Sequence, residues 1–143
     1  MDTKFSVALH ILTMISESKE ELSSQALAES VGTNASYIRK VIALLKNANL
    51  VQSYQGKIGY QLVKSPQEIS LLEIYYATQE IDRISLFPVH QNTNENCPVG
   101  KYIEGAMVPV FSSVEQHLED ELSQHTLNDI IANLYKLAGQ SRI

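Results

Sequence analysis

The sequence is poor in thiols, in long apolar runs and in repeated or low-complexity tracts, and each shortage excludes a class of protein. Cys97 is the only cysteine among 143 residues, so no disulfide can close within the chain, which fits a reducing compartment or a thiol kept for its chemistry. No apolar stretch approaches the roughly 20 residues that span a bilayer. The opening Met1-Asp2-Thr3-Lys4-Phe5 lacks the charged-then-apolar order of a secretory leader. A soluble, cytoplasmic protein with no membrane partner is therefore expected. His90, His117 and His125 could join Cys97 as ligands, but their spacing over a loop and a long helix matches no compact metal pattern, so no metal site is expected. His10, on an apolar helix, reads as a core or interface histidine. A chain of this length buries one core without staples, alone or with an appended oligomerisation element, and leaves no room for a second, enzyme-sized domain.

What is present is unevenly spread. The net charge is −5, yet residues 1–65 hold seven Lys and Arg against five acids, while residues 66–143 hold four against eleven. Five of the bases fall between Arg39 and Lys64, where no Asp or Glu intervenes. The local field decides what a surface attracts. The first half can face phosphate, and the acidic second half is left for pairing subunits or sensing. Two regions follow: 1–65 for nucleic acid, and 66–143 as a helical dimerisation or sensing region.

Apolar spacing supplies the elements. Phe5, Val7, Ala8, Leu9, Ile11, Leu12, Met14 and Ile15 make a first helix that is apolar nearly all round, sunk in its own core or shared with a second subunit. Ser23-Ser24 offers capping hydroxyls to a short helix, Ser24–Val31, which Gly32 ends. Asn34 caps a longer one, Asn34–Ala48, whose Ile38, Val41, Ile42 and Leu45 face inward while Ser36, Arg39, Lys40, Ala43 and Lys46 face out. Leu50–Tyr54 and Tyr60–Val63 have strand character around Gln55-Gly56-Lys57-Ile58-Gly59, a hairpin. Pro66 closes it, and Ser70-Leu71-Leu72-Glu73 is a capping box opening a helix to about Glu80. Residues 85–95 read as a mobile loop. Beyond Cys97-Pro98, Val99, Ile103, Met107, Val110, Val114, Leu118 and Leu122 draw a stripe along one long helix that Pro109 should kink or split. A capping box at Thr126–Asp129 starts a last helix, Leu127–Leu137, able to fold back through Ile130, Ile131, Leu134 and Leu137, with Gly139 ending it.

The order helix, break, helix, hairpin is that of a winged helix-turn-helix, in a mainly α fold with a small β-hairpin wing. In such a unit the second helix puts its N-terminal side chains into the major groove of double-stranded DNA. Ser36, Arg39 and Lys40 are placed for that, with Tyr37 at the groove margin and Ser24, Gln25, Asn34 and Lys46 beside them. Arg39 is the candidate for base readout, because a guanidinium pairs bidentately with guanine. Lys57, at the hairpin tip beside Gln55, suits a phosphate or minor-groove contact. One small module makes few contacts, so the stripe holding Ile103, Met107, Val110, Val114 and Leu118 is read as a dimerisation seam, or else as an intrachain core helix. Two-fold symmetry would predict an inverted-repeat operator. A protein-binding winged helix, with a merely solvated basic face, is the competing reading. A thiol enzyme lacks a base and an orienter near Cys97.

Ser24-Gln25-Ala26-Leu27-Ala28-Glu29-Ser30-Val31, Tyr37-Ile38-Arg39-Lys40-Val41-Ile42-Ala43-Leu44-Leu45, Asn49-Leu50-Val51-Gln52-Ser53, Pro66-Gln67-Glu68-Ile69-Ser70-Leu71-Leu72-Glu73 and Cys97-Pro98-Val99-Gly100 together resemble the Rrf2-type transcriptional regulators, over about the full length. Within that family the chain is most similar to the YwnA-like, HypR-like branch. The resemblance implies a homodimeric winged-helix repressor with the long helix as its seam and the first helix, through Phe5 and Leu12, completing it. Family members that bind an iron–sulfur cluster use three closely placed cysteines, and only Cys97 is here, so no cofactor is expected. The wing departs too, with Gln55-Gly56-Lys57-Ile58-Gly59 in place of an Arg-Gly with a glycine run. Pro98 suits a first helical position, which puts the Cys97 sulfur at a helix N-terminus that favours thiolate. Cys97 is a redox input or an inert cysteine; the branch resembled pairs cysteines, and this sequence has no partner for one. A small-molecule effector in the dimer groove is open.

Overall fold

The computed structural model describes residues 2–139. Six helices and one hairpin follow in the order α1 (Lys4–Glu17), α2 (Ser24–Val31), α3 (Ala35–Asn47), β1 (Val51–Ser53), β2 (Tyr60–Leu62), α4 (Leu71–Gln79), α5 (Pro98–Gln124) and α6 (Leu127–Ala138), with a 3-10 turn at Pro66–Glu68 before α4. The fold is mainly helical, with an antiparallel two-stranded sheet registering Val51 with Leu62 and Ser53 with Tyr60.

The helix starts are set by side chains that satisfy otherwise orphaned N–H groups. Ser23 accepts from the Ala26 N–H and Asn34 from the Tyr37 N–H. Full capping boxes stand at Ser70–Glu73 and Thr126–Asp129. Gly32 ends α2 at φ +86, a left-handed conformation that costs glycine little. The strands are shorter than the sequence suggests, but Val63 N–H still donates to Leu50 O and Tyr54 N–H to Gly59 O, so the ladder reaches the expected ends.

The core does not stop at residue 65. Ile38, Val41, Ile42 and Leu45 of α3 pack with Leu27, with Ile69 and Ile74 around α4, and with Leu127 and Ile131 of α6 in one buried cluster. The starts of α4 and α6 are joined by a bridge between Ser70 and Thr126, with Leu71 N–H donating to His125 O and Leu127 N–H to Ile69 O. The α6 fold-back is thus made by Leu127 and Ile131, whereas Leu134 and Leu137 face outward.

For α1, Val7, Ala8, Ile11 and Leu12 lie in this core, and Leu12 is fully enclosed at 0% exposure. That corrects its assignment to a subunit seam, since its apolar surface is already covered by its own chain. Phe5 packs edge-on against Tyr75 of α4 at 5.2 Å between ring centres, so it too has an intrachain partner. His10 is exposed and shares a hydrogen bond with Ser30, so it is not a core histidine.

Helix α5 is different. It runs unbroken through Pro109 for 27 residues, so the proline does not split it, and no residue of it is buried. The residue one turn back, whose carbonyl the proline ring crowds, is Gly105, which has no side chain to add to the conflict. Val99, Val110 and Val114 are 67%, 61% and 47% exposed. Residues 85–94 carry no regular structure, as expected. The beginning of that segment is nonetheless tied down: Ile84 N–H donates to Glu119, Leu86 N–H to Glu115, and Phe87 packs on Phe111.

Candidate nucleic-acid interface

The amphipathic split of α3 sends its apolar side chains into the core and leaves Ser36, Arg39, Lys40 and Lys46 exposed. A shallow cleft of about 490 Å³ opens beside it, and Ser24, Gln25, Arg39 and Lys57 line it together with Ile58 and Tyr60. Residues far apart in sequence, from the start of α2, the outer face of α3 and the hairpin, thus meet on one surface. Asn34 and Tyr37 have other duties: Asn34 Oδ1 accepts the Tyr37 N–H at 2.9 Å, and the Tyr37 ring is half-buried against the core. Gln55 is exposed on the hairpin.

The basic field is narrower than the sequence suggests. Two of the five bases from Arg39 to Lys64 meet acids from outside that stretch: Lys57 Nζ lies 2.9 Å from Glu21 Oε1, and Lys64 Nζ lies 2.6 Å from Glu73 Oε1. Lys57 also stacks over the Tyr54 ring, 4.3 Å from its centre. The Glu21 carboxylate that hydrogen-bonds to Lys57 raises that ammonium's pKa. For Glu73, burial pushes the carboxyl up, but hydrogen bonds from Lys64 and from Ser70 outweigh it and hold the group below its usual value. Among the described residues, Arg39 and Lys40 pair with no carboxylate, and Lys46 lies over the Tyr60 ring at 5.4 Å.

Three contributors escaped the sequence reading. Tyr60 binds the Ser24 hydroxyl at 2.8 Å, tying β2 to the start of α2 and fixing where the hairpin stands. Ile58 presents a bare apolar side chain, 67% exposed, at the hairpin tip. Gly59, at φ +116, lets the strand pass close to Tyr54 and Glu21, where a Cβ would meet atoms at 3.2 and 3.3 Å. The alternation of the hairpin residues signalled a strand and a tip, but nothing local marked these contacts.

Cys97 is exposed and occupies the N-cap position of α5, with Pro98 as the first helical residue. The backbone N–H groups of Gly100 and Val99 draw the thiol's pKa below its ordinary value. Gly100 is needed there, because a Cβ would fall 2.4 Å from Asn94 O. His125 is engaged by Glu121 and Asp129. Among the described residues no three His, Cys, Asp or Glu side chains come together around a metal position. No helix is long and apolar enough to cross a membrane.

The Rrf2 family, described as iron-dependent transcriptional regulators, matches residues 1–133. YwnA of Bacillus subtilis (strain 168), named as a candidate HTH-type transcriptional regulator, is 42% identical over 135 residues, covering 94% of this chain and 99% of its own. A crystal structure of a candidate DNA-binding protein superposes with a TM-score of 0.73 at 40% identity, covering 90% of this chain and 98% of that one. CymR, the global cysteine regulator of B. subtilis, shares the fold with a TM-score of 0.69 at 21% identity, covering 92% and 95% of the two chains. An iron–sulfur cluster is held by several thiolates, and this chain has one cysteine.

Proposed function

The chain belongs to the Rrf2 family of transcriptional regulators, which are not enzymes, and we propose that it is a homodimeric, sequence-specific DNA-binding repressor acting in the cytoplasm without a metal cofactor. The observation that carries this reading is the exposed outer face of α3: among the described residues Arg39 and Lys40 pair with no carboxylate, and they stand beside Ser36 on a helix whose inner face is anchored in the core. With α3 in the major groove, Arg39 reads a base edge while Lys40 and Lys46 grip phosphate. Residues 1–65 carry the reading surface, resting on a core that α4 and α6 complete, and α5 supplies the pairing surface.

The dimer is supported by α5, a long helix with an apolar stripe and nothing buried. Such a helix is stable in water when a partner covers the stripe. Ile103, Met107, Val110, Val114 and Leu118 are the seam residues, and the dyad they create sets two reading helices on an inverted repeat.

Cys97 serves as the input, an assignment supported by its exposure and its thiolate-favouring position at the start of the pairing helix. With hydrogen peroxide, the thiolate sulfur attacks one peroxide oxygen, an S–O bond forms as the O–O bond breaks, and hydroxide departs, so that the cysteine is left as a sulfenic acid. Operator affinity of wild type and Cys97→Ser, with and without hydrogen peroxide, tests this: an equal response in both removes Cys97 from the mechanism. The wider reading is tested by selecting bound fragments from the organism's own genome. A shared palindrome is expected, and no preference for any duplex over random sequence would end the proposal.

A further inference from the structure

The hairpin tip offers DNA a glutamine, a lysine and an isoleucine, and the lysine is occupied. Lys57 is folded back onto Glu21 and the Tyr54 ring, at 2.9 Å and 4.3 Å. A cation drives association with DNA by displacing counterions from phosphate. An ammonium already matched by a carboxylate on the same surface adds little to that, because the pair is neutral as a unit. Ile58, next in sequence, carries no such partner: it is 67% exposed and lines, with Lys57, the cleft shared by Arg39, Ser24 and Gln25. Tyr60 fixes the hairpin through Ser24, so the tip is held at that cleft rather than left to swing.

Resting on the DNA-binding reading above, we infer that Ile58, not Lys57, is the contact this hairpin makes with the minor groove. The groove walls are sugar edges, which are apolar, and proteins that enter the minor groove use aliphatic side chains against them or between base steps. Such a contact registers groove width and step flexibility rather than phosphate charge. The wing therefore contributes shape selectivity flanking the bases read by α3, and almost nothing to salt dependence.

The test uses the full-length protein and a duplex recovered from a random-sequence pool, with affinity measured across a salt series. Ile58→Ala is expected to weaken binding about tenfold, the loss of part of an aliphatic burial, with an unchanged salt slope. Lys57→Ala is expected to leave both affinity and slope nearly as they were. Glu21→Ala frees the ammonium and should steepen the slope by about 0.9, one phosphate contact, but not when combined with Lys57→Ala. The melting temperature of Ile58→Ala checks that folding is intact. A slope that falls by about 0.9 in Lys57→Ala, a neutral Ile58→Ala, or a slope that Glu21→Ala leaves alone would each overturn the inference while DNA binding stands. A pool that yields no preferred duplex brings down the DNA-binding reading itself.

Discussion

Helices α3 and α5 are both amphipathic, yet one is finished and the other is not. The inner face of α3 is wholly enclosed, with Ile38, Val41 and Leu45 at 0% exposure, while α5 is more than twice as long and buries nothing. In the proposed DNA-binding dimer, completeness separates two tasks. A surface that reads must hold its side chains at fixed positions, so its support has to be intramolecular. A surface that pairs must stay open until a partner arrives.

The comparison breaks if α5 needs no partner. Introducing charge with Val110→Asp and Val114→Asp together should yield monomers by sedimentation, and operator affinity should fall by about 10² to 10⁴, the factor gained when two linked modules bind together. A dimer that survives the change would show that the stripe is not the seam. Next in size is the core of α3: Ile38→Ala should lower unfolding stability by about 2–5 kcal/mol in denaturant titration. Val110→Ala, assayed at dilutions where the chain is monomeric, should leave the midpoint where it was.

Arg39→Lys sharpens the contrast on the reading side. It keeps the charge but loses the fork, so affinity should drop by about 1–3 kcal/mol, with relaxed preference at one base pair in a binding-site selection. The smallest effect concerns the junction of the two regions, where Lys64 meets Glu73. Glu73 ionises more readily in the folded chain than its usual value of 4.5 allows in the unfolded one, so its contribution is complete above that pH and is lost as pH falls toward the lower folded value. With the pair partly open to solvent, the acid-induced loss assignable to it should not exceed about 1 kcal/mol. Melting curves of wild type and Glu73→Gln should differ near neutrality and converge in acid.

Much of this was legible in the sequence wherever the signal was local. Ser23, Asn34, Ser70 and Thr126 cap the helices their spacing announces, and the outward face of α3 is the one its periodicity exposes. The misses are all contacts between distant segments. Glu21 silences Lys57 from another loop, Tyr60 reaches back to Ser24, and Glu115 and Glu119 take the N–H groups of a segment expected to be mobile. Apolar residues all round α1 announced burial, but periodicity carries no information on whether the covering surface belongs to the same chain. Leu12 shows the difference.

The bridge from Ser70 to Thr126 reaches across more than fifty intervening residues and docks α6 against α1 and the turn before α4, bringing Leu127 and Ile131 into the core that α3 shares. Closing so wide a loop is slow compared with forming the local turns. During translation residues 1–65 therefore leave the ribosome with part of the shared core still missing. Only when the last helix has been synthesised and docked is that core complete, so a truncated or still-growing chain should bind the proposed operators more weakly than the finished one.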